Sequence, residues 1–309
     1  MRLLLFGCTG FVGRELLPLL LKAGHQLTVV SRRLARGYDA ERADGRLIWM
    51  QFDPASSSTW TDAGLLDALN QADAVVNLAG EPIAEKRWTP THRQLLETSR
   101  LETTFQLVKS IEACSTPPKV LVNASAIGFY GSSLDKRFLE SSPPGDDFLA
   151  SLCERWEAAA EAVPSAVRQV TLRIGIVLAA DGGALGKMLP VFRTGFGGPI
   201  GSGRQWMSWI HRSDLCALIL QSLTDESWSG VINAVAPEPV SMTAFCKQLG
   251  RSLGRPSLLP VPAPVLQVLL GDGAKVVLEG QQVASERLDV LNFSFRYPDL
   301  ASALAAATN

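Results

Sequence analysis

Short aliphatic and β-branched runs recur along this 309-residue chain, and longer amphipathic stretches separate them. The runs fall at 3–6, 27–30, 47–52, 74–78, 120–123, 170–177 and 231–235. Between them lie periodic segments such as FVGRELLPLLLKAG, TPTHRQLLETSRLETTFQLVKSIEAC and FLASLCERWEAAAEAV, each long enough for a helix. Apolar runs of a few residues read as buried strands, and segments with a period near 3.6 read as helices. Their alternation predicts βαβ units, a mainly parallel sheet and helices on both of its faces. The expected fold class is therefore α/β, a doubly wound parallel (Rossmann) sheet.

After Val177 the pattern loosens into LAADGGALGKMLPVFRTGFGGPIGSGRQWMSW, where glycines interrupt every candidate element. It returns with IHRSDLCALILQSL as a helix and GVINAVA as a strand. The tail opens with EPVSMTAFCKQLGRSL, a helix capped by Ser241, and continues with the proline-rich LLPVPAPVL. This predicts a main domain over 1–180, completed by 209–236, and a smaller lobe made of 181–208 and 237–309.

Composition narrows the field. Lys plus Arg is 29 and Asp plus Glu is 30, so a net charge of -1 gives no general pull toward nucleic acid or anionic lipid. The five cysteines form no CxxC pair and the three histidines lie far apart, which indicates neither a zinc site nor a disulfide framework. The N-terminal apolar run, residues 3–6, is shorter than the about 7–15 residues of an export signal. No run reaches the roughly 18 residues of a membrane span. A cytoplasmic protein with reduced thiols is expected, and its oligomeric state is not legible.

The chemistry begins at LLLFGCTGFVGREL, which places Gly7, Gly10 and Gly13 where the first strand meets the first helix. A pyrophosphate can approach such a backbone closely and accept hydrogen bonds at the helix N-terminus. The second strand ends in VVSRR, where a protein selective for NAD would place an acid on the ribose. Ser31, Arg32 and Arg33 stand there instead, which favours NADP(H) through a guanidinium on the 2′-phosphate. The alternative is that these arginines are solvated surface charges. Leu78, Ala79 and Gly80 in NLAGE and Ser125 in NASAIGFYG end later strands and should line the same crevice. Asp53 either borders the adenine or caps a loop.

GCTGFVG, NLAGE, NASAIGFYG, LRIGIVL and WIHRSDL together resemble the extended branch of the short-chain dehydrogenase/reductase superfamily. NLAGEPIAEKRWT, SRLETT, SPPGDDFLASLCERWE, GGPIGSGRQWMSWIHRSDL and the tail with FSFRYPDLASAL narrow the resemblance to its atypical 39U-type subgroup of epimerase family proteins. The resemblance implies NADP(H) bound by Thr9, Gly10, Phe11 and Val12 at the turn, by Ser31 and Arg32 at the 2′-phosphate, and by Leu78 and Ala79. It also implies a cofactor contact at Arg100, which the residues alone would leave as a solvated helix charge. Relatives in cyanobacteria and plastids are linked to division.

Enzymes of the superfamily use a Ser or Thr, a Tyr as general acid/base, and a Lys four residues after that Tyr. A phenol near pKa 10 needs the cation to work at neutral pH. Tyr38, Tyr130 and Tyr297 are followed four residues on by Arg42, Leu134 and Ala301, so no YxxxK exists. Alignment of the helix places Leu149 at the tyrosine position and Cys153 at the lysine position, with Glu154 and Glu157 expected as solvated charges. Ser125 and Tyr130 are the remaining catalytic candidates, Tyr130 either pointing into the cleft or packing in its turn. His211 is a weaker substitute acid, and Arg204, Trp206 and Trp209 offer a cation and aromatic faces to an unknown small substrate. Two functions follow: an atypical NADP(H)-dependent oxidoreductase, or a non-catalytic NADP(H)-binding regulatory protein of the kind linked to cell or plastid division.

Overall fold

A computed structural model describes residues 1–33 and 38–308. Seven strands form one parallel sheet: β1 (Arg2–Phe6), β2 (Gln26–Ser31), β3 (Leu47–Gln51), β4 (Ala74–Asn77), β5 (Val120–Ala126), β6 (Arg168–Ile174) and β7 (Gly230–Ala234). Their order is β7-β6-β5-β4-β1-β2-β3, so the winding reverses between β1 and β4. Leu3 lies beside both Leu27 and Ala74. Each run expected to be a strand carries one of these seven, the interior strands being apolar where helices cover both faces of the sheet.

The helices of eight residues or more are α1 (Gly13–Lys22), α2 (Ala63–Asn70), α3 (Pro90–Glu112), α4 (Phe148–Glu161), α5 (Gly183–Arg193), α6 (Arg212–Thr224), α7 (Met242–Leu253), α8 (Ala263–Leu270) and α9 (Leu300–Thr308). Leu16, Leu17 and Leu20 of α1 and Leu215, Leu218 and Ile219 of α6 pack with Leu5, Val29 and Val76 on one face of the sheet. Leu65 and Leu69 of α2 and Leu107 and Ile111 of α3 pack with Leu4, Val75 and Leu121 on the other. No helix among the described residues is long and apolar enough to cross a membrane.

The run 170–177 divides at Gly175. A Cβ there would lie 2.7 Å from the Ser208 carbonyl oxygen, so only glycine lets the chain pass and turn out of the sheet. Residues Ile176–Leu178 then pair with Trp209–His211. A separate core holds Leu185, Leu189 and Phe192 of α5, Phe245 and Leu249 of α7, and Ala303 and Leu304 of α9. Ser241 caps α7 as expected, accepting from the Ala244 N–H at 3.2 Å. The stretch 237–309 serves two cores, because Leu288 and Phe293 pack with the sheet.

Candidate functional site

The switch between β1 and β4 opens a crevice at the carboxyl ends of the strands, the usual ligand position in such sheets. Gly7 has φ +73, and a Cβ on it would lie 2.4 Å from the Leu78 carbonyl carbon. A Cβ on Gly13 would lie 1.9 Å from the Cys8 oxygen, so α1 can start this close to β1 only with glycine. Val12 is the N-cap of α1 and supplies no side-chain cap. The N–H groups of Phe11 and Val12 have no acceptor among the described residues. Open amides at a helix N-terminus form an anion site, and a dinucleotide pyrophosphate fits it.

Thr9 Oγ1 lies 3.0 Å from Ser31 Oγ, which joins the turn to the end of β2. Ser31 Oγ also accepts from the Arg33 N–H at 3.3 Å. Arg32 projects outward, its side chain 59% exposed and 3.7 Å from Glu81 Oε2. The guanidinium is the exposed partner of a long contact to a buried carboxylate, and it stays open to a phosphate arriving from solvent. Asp53 caps its own loop, accepting from the Ala55 N–H at 3.2 Å, which favours the structural alternative for it.

Arg100 is not a solvated helix charge. Its guanidinium donates to Leu96 O and Glu81 O, each at 3.0 Å, and lies 5.3 Å from the Trp156 ring. Gly80 makes room for it, since a Cβ there would lie 3.0 Å from Arg100 Cζ. No carboxylate among the described residues forms an ion pair with it. Burial holds its pKa below the ordinary arginine value. An anion entering the crevice would find this cation waiting.

Ser125 and Tyr130 meet in one network whose other members the sequence did not suggest. Ser125 Oγ donates to Glu157 Oε1 at 2.5 Å. Glu157 also accepts from Arg173 Nε at 2.9 Å and from Arg173 Nη2 at 2.7 Å. Arg173 Nη1 donates to the Tyr130 hydroxyl at 2.8 Å, and that hydroxyl donates to Asn233 Oδ1 at 2.7 Å. Tyr130 is 3% exposed and Ser125 is 3% exposed. Burial raises the Tyr130 pKa. Tyr130 packs inside its turn, stacked on Phe138 with centroids 5.3 Å apart, and does not point into the cleft.

The expectation of a solvated Glu157 is corrected: it is 4% exposed, and a buried carboxylate needs such a partner as Arg173. The clue in the sequence was Arg173 itself, a charge inside the apolar run TLRIGI. Glu154 is exposed as expected. Leu149 and Cys153 do face the turn after β5, since a Cβ on Gly128 would lie 3.4 Å from Leu149 Cβ and 4.0 Å from Cys153 Sγ. Burial, and secondarily Glu157, pushes the Cys153 thiol up to about 12, which keeps it protonated.

Two other candidates are corrected. His211 is 7% exposed, its ring centroid 4.1 Å from that of Tyr297, and its Nδ1 accepts from the Ser213 N–H as the cap of α6. Trp209 is wholly buried, its indole donating to Glu238 O at 3.0 Å. Arg204 and Trp206 do line an open depression with Leu134, Asp135 and Thr243. Among the described residues no group of three metal-ligating side chains occurs.

Residues 3–234 match the model of the NAD dependent epimerase/dehydratase family. The chain belongs to that family. Residues 261–307 match a domain of unknown function. Within the family it is similar to the chloroplastic epimerase family protein SDR39U1 homolog of Arabidopsis thaliana, 43% identical over 97% of this chain and 84% of that protein. It is also similar to human epimerase family protein SDR39U1, 40% identical over 98% of each. A crystal structure of human SDR39U1 (isoform 2) with NADPH superposes with a TM-score of 0.86 at 37% identity, over 99% of both chains. The atypical short-chain dehydrogenase/reductase character read from the motifs is thereby established.

Proposed function

We propose that this chain binds NADP(H) and acts as an atypical oxidoreductase on a small substrate held between the strand ends and the C-terminal lobe. The observation that carries this reading is the glycine turn with two amides that meet no acceptor among the described residues, with Ser31 and Arg32 at the end of β2 where a protein selective for NAD would carry an acid. The NADPH in the human relative supports it. When bound, the cofactor would supply or accept a hydride. The chain's own part is to cradle the pyrophosphate on Phe11 and Val12, set Arg32 at the 2′-phosphate, and place Arg100 beneath Gly80.

Among the described residues, none of the catalytic candidates is free to give up a proton. Ser125 gives its hydrogen to Glu157, Tyr130 gives its hydrogen to Asn233, and Cys153 stays a thiol. Loss of a positioned acid costs about 10²–10⁴ in rate, so ordinary carbonyls would turn over slowly. The preferred substrate would draw its proton from water or need none. The same sequestration favours a second reading, an NADP(H)-binding regulatory protein in which the nucleotide is a ligand and not a reactant.

Titration with NADPH and NADH, followed by NADPH oxidation against a panel of carbonyl compounds, separates these readings. Arg32→Ala should weaken NADPH about 10- to 150-fold and leave NADH unchanged. Equal affinity of that variant for NADPH would remove the cofactor assignment. Tight NADPH binding with no turnover of any compound would leave the regulatory reading.

A further inference from the structure

We propose that Arg212, the first residue of α6, is a positioning residue for the phosphate turn: it fixes the peptide between Phe11 and Val12 so that the Val12 N–H faces the crevice. The inference rests on the reading of that turn as the NADP(H) pyrophosphate site. Arg212 is 201 residues from Phe11 in the chain, and its Nη1 donates to the Phe11 carbonyl at 3.2 Å. Its side chain is only 14% exposed and is held from three directions. Nε donates to Glu15 Oε2 on α1 at 2.8 Å, Nη1 reaches Asp181 Oδ1 at 2.6 Å, and Cζ lies 4.9 Å from the Phe11 ring centroid. Ser213 bonds the other Glu15 oxygen, so the acid that orients Arg212 is itself fixed.

The consequence for the turn follows from peptide geometry. In a trans peptide the C=O and the following N–H point in opposite directions, and the described chain has no cis bond. A Phe11 carbonyl tied to α6 therefore turns the Val12 N–H away from α6, where no acceptor among the described residues meets it. The next carbonyl is held on the same side, since Cys216 Sγ donates to Val12 O at 3.8 Å. Donors set in place before an anion arrives avoid the cost of ordering them on binding. The Phe11 ring packs closely over the Gly182 backbone, where an added Cβ would lie 2.7 Å from its Cδ2.

Arg14 provides a matched control. It too lies over Phe11, 5.9 Å from the ring, and pairs with Asp181 at 3.2 Å, but it bonds no carbonyl of the turn. Arg212→Met and Arg14→Ala each remove one positive charge from the same neighbourhood. Calorimetric titration with NADPH should show Arg212→Met weakened about tenfold and Arg14→Ala within about twofold of the parent. The Val12 amide resonance of protein labelled with ¹⁵N-valine, recorded without nucleotide, should move in Arg212→Met and stay in Arg14→Ala. Equal affinities in the two variants, or an unmoved Val12 amide in Arg212→Met, would overturn the proposal. A parent protein that binds no NADPH would instead overturn the cofactor reading, and the Val12 amide would still decide whether Arg212 sets the peptide.

Discussion

Glu157 and Arg173 form a two-point pair, at 2.9 and 2.7 Å, with both side chains no more than 6% exposed. Removing one partner from such a pair leaves an uncompensated buried charge, at a cost of about 3–5 kcal/mol. Arg173→Met should therefore lower Tm by roughly 5–8 °C in a thermal scan, and Glu157→Gln should do the same. The double variant should lose less than the sum, since neither charge is then stranded. Additive losses would mean that the two residues are not coupled. Gly7 and Gly13 were legible because only glycine tolerates backbone so close, whereas Glu157 was not. On a helix it reads like the exposed Glu154 until Arg173, on a strand sixteen residues later, is seen to face it.

At the level of elements, all seven sheet strands were readable from their apolar runs, and so were α1, α3, α4, α6 and α7. The departure of the chain at Gly175 was missed because residues 170–177 read as a single strand through that glycine. Helix α6 starts at a histidine cap, and this gives it a pH dependence. Burial lowers the His211 pKa below its ordinary 6.5, so the unfolded chain takes up the proton first as pH falls. The stabilisation is complete above about pH 6.5 and is lost as pH drops toward the folded value. Protonation would also remove the lone pair that accepts from Ser213. The fall in Tm between pH 7.5 and pH 5.5 should be smaller in His211→Gln than in the parent, and an identical fall in both would exclude His211 as its source.

Across the whole molecule, a main domain and a smaller lobe were expected, but the way the C-terminal segment ties back to α6 and β7 was not. Asp214 of α6 accepts from the N–H groups of Arg296 and Tyr297, at 2.7 and 3.0 Å, and Asn233 donates to Ala284 O at 2.8 Å. Contacts between positions so far apart leave no periodic trace in a sequence. The hold of Arg212 on Phe11 belongs to this class, and it sets an order in time. The glycine turn is made well before Arg212, and the contact between them can form only after the roughly two hundred residues that separate Phe11 from Arg212 have emerged. Contacts that close such long loops form late in folding. In refolding from denaturant, NADPH capture should then appear with the slowest phase of tryptophan fluorescence recovery; capture in an earlier phase would show that the turn is competent alone. A ribosome-bound chain stalled before Arg212 would hold every residue of the glycine motif and still be a poor receptor for the nucleotide.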